Sequence, residues 1–72
     1  MKTNKPSVTQ HINALQGRYS VSNEELALAI GVNQSTLRRK FREPGSFTLK
    51  ELTAIADYLH TTVAEIVGKA AA

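Results

Sequence analysis

The sequence contains no cysteine and no tryptophan, and its longest uninterrupted apolar run spans only residues 26–30. Without cysteine the chain has neither a disulfide bond nor a thiolate metal site, which is typical of a reducing compartment, so we expect a cytoplasmic protein. A membrane-spanning helix needs about 20 apolar residues. Residues 1–10 also lack the apolar segment of a secretory signal. The sequence therefore predicts no membrane role.

Catalytic and metal-binding motifs are also missing. His11 and His60 are far apart in the sequence, and neither belongs to an H-E-x-x-H pattern. No G-x-S-x-G motif positions a nucleophile among the serines. We therefore expect no enzyme activity, no metal site, no cofactor and no small-molecule substrate.

The chain has the composition of one small globular domain. It has 72 residues and a net charge of +3, with 42% hydrophobic and 21% charged residues. A domain of this size buries only about 60% of the surface that its unfolded chain exposes. We therefore expect a net stability of only a few kcal/mol and a function carried by the surface.

Glycine and proline divide the chain into segments whose apolar residues recur at helical spacing. The predicted breaks lie at Gly17, Gly31, Pro44–Gly45 and Gly68. The sequence predicts an all-α, five-helix bundle over residues 7–68, with a flexible basic arm at 1–6 and a disordered tail at 69–72. Successive helices carry these apolar positions at helical spacing: Val8, Ile12, Leu15; Leu26, Ala27, Ile30; Leu37, Phe41; Leu49, Leu52, Ile55, Ala56, Leu59; Val63, Ile66, Val67.

Capping residues predict where these helices begin and end. A Ser or Thr followed three residues later by Glu is the signature of a capping box, and an Asn before an apolar stripe is a good N-cap. Glycine is favoured at the left-handed position after a helix, which we predict for Gly17, Gly31 and Gly68. The predicted capping boxes are Ser22 with Glu25, Thr48 with Glu51 and Thr62 with Glu65, and Asn33 caps the third helix.

The second and third helices are short and joined by the three residues 31–33, an arrangement typical of a helix-turn-helix. At about 100° per residue, Leu37 and Phe41 lie on one face of the third helix, while glutamine, serine and arginine residues lie on the other. Four cations fall within residues 38–42. A basic helix of this kind is often only a solvated face. Its position after the capping box and the glycine-led joint favours DNA binding instead.

The residue types on this face suit recognition of DNA. Glutamine can bond adenine N6 and N7, arginine can bond guanine O6 and N7, and an α-helix fits the major groove. Thr36 and Lys40 lie on the flank of the helix, where they suit phosphate contacts, as does Arg42 within the basic cluster. Backbone N–H groups at Gly45 and Ser46 lie before the fourth helix, where they could meet a phosphate. The expected partner is double-stranded DNA.

The stretches SNEELALAIGVNQSTLRRKF and FTLKELTAIADYLHTTVAEI resemble the Cro and phage-repressor (XRE-type) helix-turn-helix family, and the likeness covers residues 7–67. The resemblance implies a lambda-repressor-like bundle that reads operator DNA as a dimer. It places Gln34, Ser35, Arg38 and Arg39 at base-facing positions, and Asn33 and Thr36 where the family touches phosphate. Asn23 stands where the family often has a phosphate-binding glutamine. The arm at residues 1–6 resembles the basic arm that some family members wrap onto DNA.

Three apolar residues are candidates for contact with another protein. Leu28 points away from the predicted core side of its helix, and Val63 and Val67 lie on a terminal helix that often packs against a twin in the family. Single exposed leucines are also common without any role. The chain could therefore act alone, as a homodimer, or as a modulator or antirepressor that binds a partner repressor and has weak DNA affinity of its own.

Overall fold

The computed structural model describes residues 7–71, with side chains over 7–68. These residues form α-helices and one short 3₁₀ turn, with no strand among them, so the predicted all-α five-helix bundle is confirmed. The predicted arm at 1–6 lies outside the described residues. The helices are α1 (Ser7–Tyr19), α2 (Asn23–Ile30), α3 (Gln34–Arg42), α4 (Leu49–Tyr58) and α5 (Val63–Ala71), and the 3₁₀ turn spans Pro44–Ser46.

Side-chain caps begin the last four helices at the predicted residues. Among the described residues, only Thr48 and Glu51 form a reciprocal capping box, because the Glu51 carboxylate also accepts from the Thr48 backbone N–H at 2.9 Å. The Glu25 carboxylate accepts instead from the Tyr58 hydroxyl of α4. The caps accept from the backbone N–H three residues on: Ser22 from Glu25 (3.1 Å), Asn33 from Thr36 (2.8 Å), Thr48 from Glu51 (3.0 Å) and Thr62 from Glu65 (3.1 Å).

The joint between α2 and α3 depends on Gly31. This residue has φ +83°, ψ +27°, in the left-handed region that glycine adopts without a steric penalty. Its N–H donates to the carbonyl of Ala27 at 2.9 Å, and the N–H of Val32 donates to the same carbonyl at 3.0 Å. The predicted end of α2 is confirmed, and the chain turns directly into α3.

The predicted end of α1 at Gly17 is wrong. The helix continues to Tyr19, and Ser20 rather than a glycine takes the left-handed conformation, with φ +58°. The N–H of Val21 donates to the carbonyl of Gln16 at 2.8 Å and closes the helix end. A hydrogen bond across the turn therefore decides where α1 stops, and it offsets the cost of a left-handed serine.

α4, like α1, is followed by a left-handed residue that is not glycine, whereas α5 runs past its predicted end. His60 has φ +60°, and the N–H of Thr61 donates to the Ala56 carbonyl at 2.8 Å after the end of α4. Gly68 lies inside α5, which runs on to Ala71, so its predicted role as the residue after the helix is wrong. The predicted tail at 69–72 overlaps the end of this helix, and residue 72 lies outside the described residues.

The core draws apolar side chains from all five helices. α1 packs against α5, α2 against both α3 and α4, and α4 against α5. Leu49, predicted as part of the α4 stripe, is 72% exposed because it is the first residue of the helix and lies beyond the packed part of that stripe. Val8 and Leu15 are half-buried against the core. The largest fully buried side chains are Ile12, Leu26, Leu37, Ile55, Leu59 and Ile66.

Candidate nucleic-acid interface

α3 is held by its apolar face and leaves its polar face uncovered. Leu37 is 0% exposed and Phe41 only 8%, so these two side chains fix the rotation of the helix about its axis. The four residues predicted to face bases all lie on the exposed side: Gln34, Ser35, Arg38 and Arg39. The structure therefore brings the whole predicted base-facing set to one solvent-facing surface.

The arginines on this surface have no internal anionic partner. Arg38, Arg39 and Arg42 are exposed, and none of them forms a salt bridge with any side chain that the structure describes. Each guanidinium carries five N–H donors in a planar fork that matches phosphate and guanine acceptors. This face of α3 therefore presents positive charge and directional donors to an external ligand.

Lys40 has a different environment from the arginines. Its side chain is only 13% exposed, and its ammonium lies 3.1 Å from the Glu51 carboxylate and donates to the Ser46 carbonyl at 2.8 Å. The ammonium also lies 5.9 Å from the centre of the Phe47 ring, within the range of a cation–π contact. In the free protein, Lys40, which we expect to contact phosphate, thus ties the end of α3 to the start of α4.

The carboxylate of Glu51 completes this link. Burial alone would raise the pKa of Glu51, but the Thr48 N–H donates to its carboxylate, and Lys40 adds a hydrogen bond and a positive charge. Together these donors lower the pKa of Glu51 below its ordinary value. One ionised side chain therefore caps α4 and also holds the last turn of α3.

In the loop before α4, both donors of Ser46, an expected phosphate contact, have partners within the turn. The Ser46 N–H donates to the Glu43 carbonyl at 2.8 Å, and its hydroxyl donates to the same carbonyl at 2.7 Å. The next N–H, at Phe47, donates to the Pro44 carbonyl at 3.1 Å. These donors close the 3₁₀ turn, so Ser46 serves the loop and does not point a donor outward.

Asn33 and Thr36, the other two expected phosphate contacts near α3, lie together at the start of that helix. Asn33 is exposed and Thr36 half-buried. The Asn33 amide oxygen caps the helix by accepting from the Thr36 N–H, which leaves the amide nitrogen as the donor of that side chain. A phosphate at this helix terminus would therefore meet an amide donor and a hydroxyl.

Asn23, the remaining expected phosphate contact, is held by a network that the sequence analysis missed. Gln16 is buried, and its amide nitrogen donates to the Asn23 side-chain oxygen at 2.9 Å and to the Val21 carbonyl at 3.3 Å. Asn13 in turn donates to the Gln16 amide oxygen at 2.6 Å. Gln16 lies one helical turn after Ile12 on the buried face of α1, and this spacing is the sequence signal from which its burial could have been predicted.

A second buried polar residue anchors the other end of α3. Thr9 of α1 is buried, and its hydroxyl donates to the Phe41 carbonyl at 2.5 Å. This carbonyl lies in the last turn of α3, where main-chain acceptors have no partner within the helix. Thr9 therefore fixes the far end of α3 to α1, and its spacing of three residues from Ile12 was the signal that the sequence offered.

The three candidates for protein contact differ in exposure. Leu28 on α2 is 77% exposed, Val67 on α5 is 40% exposed, and Val63 is half-buried against the core. Leu28 is thus the most open of the three. Across the described residues, no helix is both long and apolar enough to pass through a bilayer.

Comparison with known proteins agrees with this geometry. The family model described as helix-turn-helix matches residues 15–66, which include α2, α3 and α4. No curated protein and no solved structure gives a significant match. Proteins of this family carry DNA-binding regulatory domains. The chain belongs to the helix-turn-helix family of the XRE type, the type of Cro and the phage repressors.

Proposed function

We propose that this protein is a sequence-specific transcription regulator, of the Cro or small-repressor kind, that reads the major groove of an operator with α3. The observation that carries the proposal is the outward face of α3. Gln34, Arg38 and Arg39 are exposed there, while buried Leu37 and Phe41 fix the helix from behind. The side chains that can distinguish bases are thus presented together on a rigid element.

Each exposed residue has a role that its chemistry supports. Arg38 and Arg39 suit bidentate bonds to guanine, Gln34 suits adenine, and Ser35 suits either kind of base edge. Phosphate contacts are assigned to Arg42, Asn33, Thr36 and Asn23, which position the helix without reading sequence. Lys40 and Ser46 are left out of this set because their donors are bonded within the fold.

The first experiment is binding to the DNA upstream of the protein's own gene, titrated against random duplex at two salt concentrations. An operator-reading regulator should bind its site with a dissociation constant of about 10⁻⁸ M and at least about a thousandfold more tightly than random DNA. Light scattering in the same buffer gives the oligomeric state. A dimer should recognise half-sites about 34 Å apart in a pseudo-palindrome. Equal, strongly salt-dependent binding to both duplexes would contradict sequence-specific reading.

The base-reading role is tested by Arg39→Ala. We expect it to weaken operator binding by about 1–3 kcal/mol and to relax discrimination at one base pair, because a bidentate contact is lost. Arg18→Ala is the matched control, since Arg18 is also an exposed arginine but lies in the last turn of α1. An equal loss on operator and random DNA for Arg39→Ala would refute base reading by this residue.

A second candidate function is that of a modulator that binds a partner repressor and has weak DNA affinity of its own. The observation that favours it is Leu28, which is 77% exposed on α2. An exposed leucine on the helix-turn-helix could pack into an apolar pocket of a partner. This function predicts a stable heteromer on co-expression with a repressor, and Leu28→Ser should dissociate it while leaving the fold intact. A heteromer that survives Leu28→Ser would rule out this interface.

A further inference from the structure

A second surface feature lies where α1 and α4 end. The ends of these helices and the start of α2 enclose an open cleft of about 420 Å³. Its walls are formed by three aromatic rings, two carboxylates and one valine: Tyr19, Tyr58, His60, Glu25, Asp57 and Val21. None of these residues belongs to the α3 surface assigned to DNA.

The charge of this cleft is opposite to that of α3. Glu25 and Asp57 both line it, and neither forms a salt bridge with any side chain that the structure describes. α1 ends at Tyr19 and α4 ends at Tyr58, so the negative ends of two helix dipoles meet here, together with the positive end of one, that of α2. On a protein with a net charge of +3, these carboxylates favour a cation in the cleft.

The aromatic rings give the cleft its shape. The Tyr19 and His60 rings meet edge to face, with centres 5.1 Å apart and planes at 66°. The Tyr58 hydroxyl donates to the Glu25 carboxylate, which orients that acceptor beside the tyrosine ring. A planar cation can stack on such rings and bond a carboxylate at the same time, and guanidinium does this better than ammonium.

We propose that this cleft is a docking site for an arginine side chain carried on a basic segment of a partner protein. The argument is charge complementarity: two carboxylates without a salt bridge, two helix C-termini and exposed tyrosine rings converge on an open cleft large enough to admit an arginine side chain. This inference is independent of the proposed operator function, because it uses no residue of the α3 face.

The test uses the whole ¹⁵N-labelled protein and a blocked tripeptide, acetyl-Gly-Arg-Gly-amide. Saturable amide shifts should appear at the cleft residues. The same peptide with citrulline in place of arginine keeps the shape but removes the charge, so it should bind about three- to fivefold more weakly or not at all. Equal binding of the two peptides, or arginine-induced shifts spread over all acidic residues, would overturn the proposal.

A pair of charge-matched variants locates the site. Glu25→Gln with Asp57→Asn removes both cleft carboxylates and keeps their shape, and it should reduce peptide affinity about fivefold or more. Glu43→Gln with Glu65→Gln removes the same net charge from exposed positions outside the cleft and should change affinity less than about twofold. If the control pair loses as much affinity, binding follows net charge and the proposal fails. The comparison of arginine with citrulline needs no variant, so it holds even if a double variant does not fold.

Guanidinium chloride alone gives the last discrimination. If it produces the same saturable shifts as the peptide with the same affinity, the cleft is a small-cation site and the partner-protein assignment is overturned. If the peptide binds at least about threefold more tightly than free guanidinium, the peptide backbone contributes to binding and docking of a protein segment is supported.

Discussion

Replacing Lys40 with alanine should destabilise the fold without acting directly on DNA contacts. Three contacts are lost together: the hydrogen bond to the Ser46 carbonyl at 2.8 Å, the ion pair with Glu51 at 3.1 Å and the approach to the Phe47 ring at 5.9 Å. A hydrogen bond from a charged group contributes about 1.5–3 kcal/mol, a surface ion pair about 0.2–1 and a cation–π contact about 0.5–1.

These contributions share one ammonium group, so they do not add. With Lys40 only 13% and Glu51 only 17% exposed, the pair is screened less than a surface pair, and we expect a total loss of about 2–3 kcal/mol. For a domain of this size each kcal/mol lowers the melting temperature by about 4–8 °C. Thermal or urea denaturation followed by circular dichroism would therefore detect the loss clearly.

Lys50→Ala provides the matched control, because Lys50 is an exposed lysine on the same helix as Glu51. It should change stability by no more than about 0.5 kcal/mol. The opposite pattern would refute the reasoning. If Lys40→Ala leaves the melting temperature unchanged but reduces the salt dependence of DNA binding by about one phosphate contact, then Lys40 binds phosphate and its internal contacts contribute little.

Three further predictions concern Ser20, Glu51 and Thr9. Ser20→Gly should raise stability by about 1 kcal/mol, since glycine adopts φ +58° without the cost that serine incurs, and a lower melting temperature would count against it. In Glu51→Gln the free energy of unfolding should depend less on pH in acid. The lowered pKa of Glu51 stabilises the fold at pH values above the ordinary pKa of a glutamate, and this stabilisation is lost as the pH falls through the lower pKa of the folded state. Urea titrations at several pH values measure this dependence, and the same loss of stability in acid for the variant and the original protein would contradict the prediction. Thr9→Val should cost about 1–3 kcal/mol by leaving the Phe41 carbonyl unpaired, whereas Thr9→Ser keeps the donor and should lose less than half as much in the same denaturation assay.

The number of helices and their starting points could be predicted because they depend on local chemistry. Ser22, Asn33, Thr48 and Thr62 all cap the helices that they were expected to cap. Each cap needs only its own side chain and a backbone N–H three residues later. Such signals are complete within four residues of sequence, so no tertiary contact is needed to predict them.

Helix ends and polar partners depended on contacts that no four-residue motif contains. Ser20 ends α1 in place of Gly17, and its conformation is held by a hydrogen bond across the turn. Lys40 belongs to the same basic run as the arginines beside it, and its place on the flank of α3 predicts a phosphate contact. It differs because Glu51 and Phe47, which follow in the next segment, meet its ammonium once α3 and α4 pack.

The exposed face of α3 could be predicted from periodicity because two apolar residues fix it. Leu37 and Phe41 determine which side is buried, and the other side then follows from helix geometry. The supports of that helix were harder to find. Thr9 and Gln16 are polar residues on a buried face, and a search for apolar stripes passes over them although they occupy core spacing relative to Ile12.

The packing of α1 against α5 has a consequence for how the protein is made in the cell. Ile12 and Ile66 are both fully buried, and they belong to the first and last helices that the structure describes. At about 5–20 residues per second, a ribosome adds Ile66 about 3–10 s after Ile12. Until Ile66 is added, the chain lacks the partner for the part of α1 that packs against α5. The helix-turn-helix segment is thus synthesised before the core that holds it is complete, and premature release of the chain would yield a product prone to proteolysis rather than a smaller working domain.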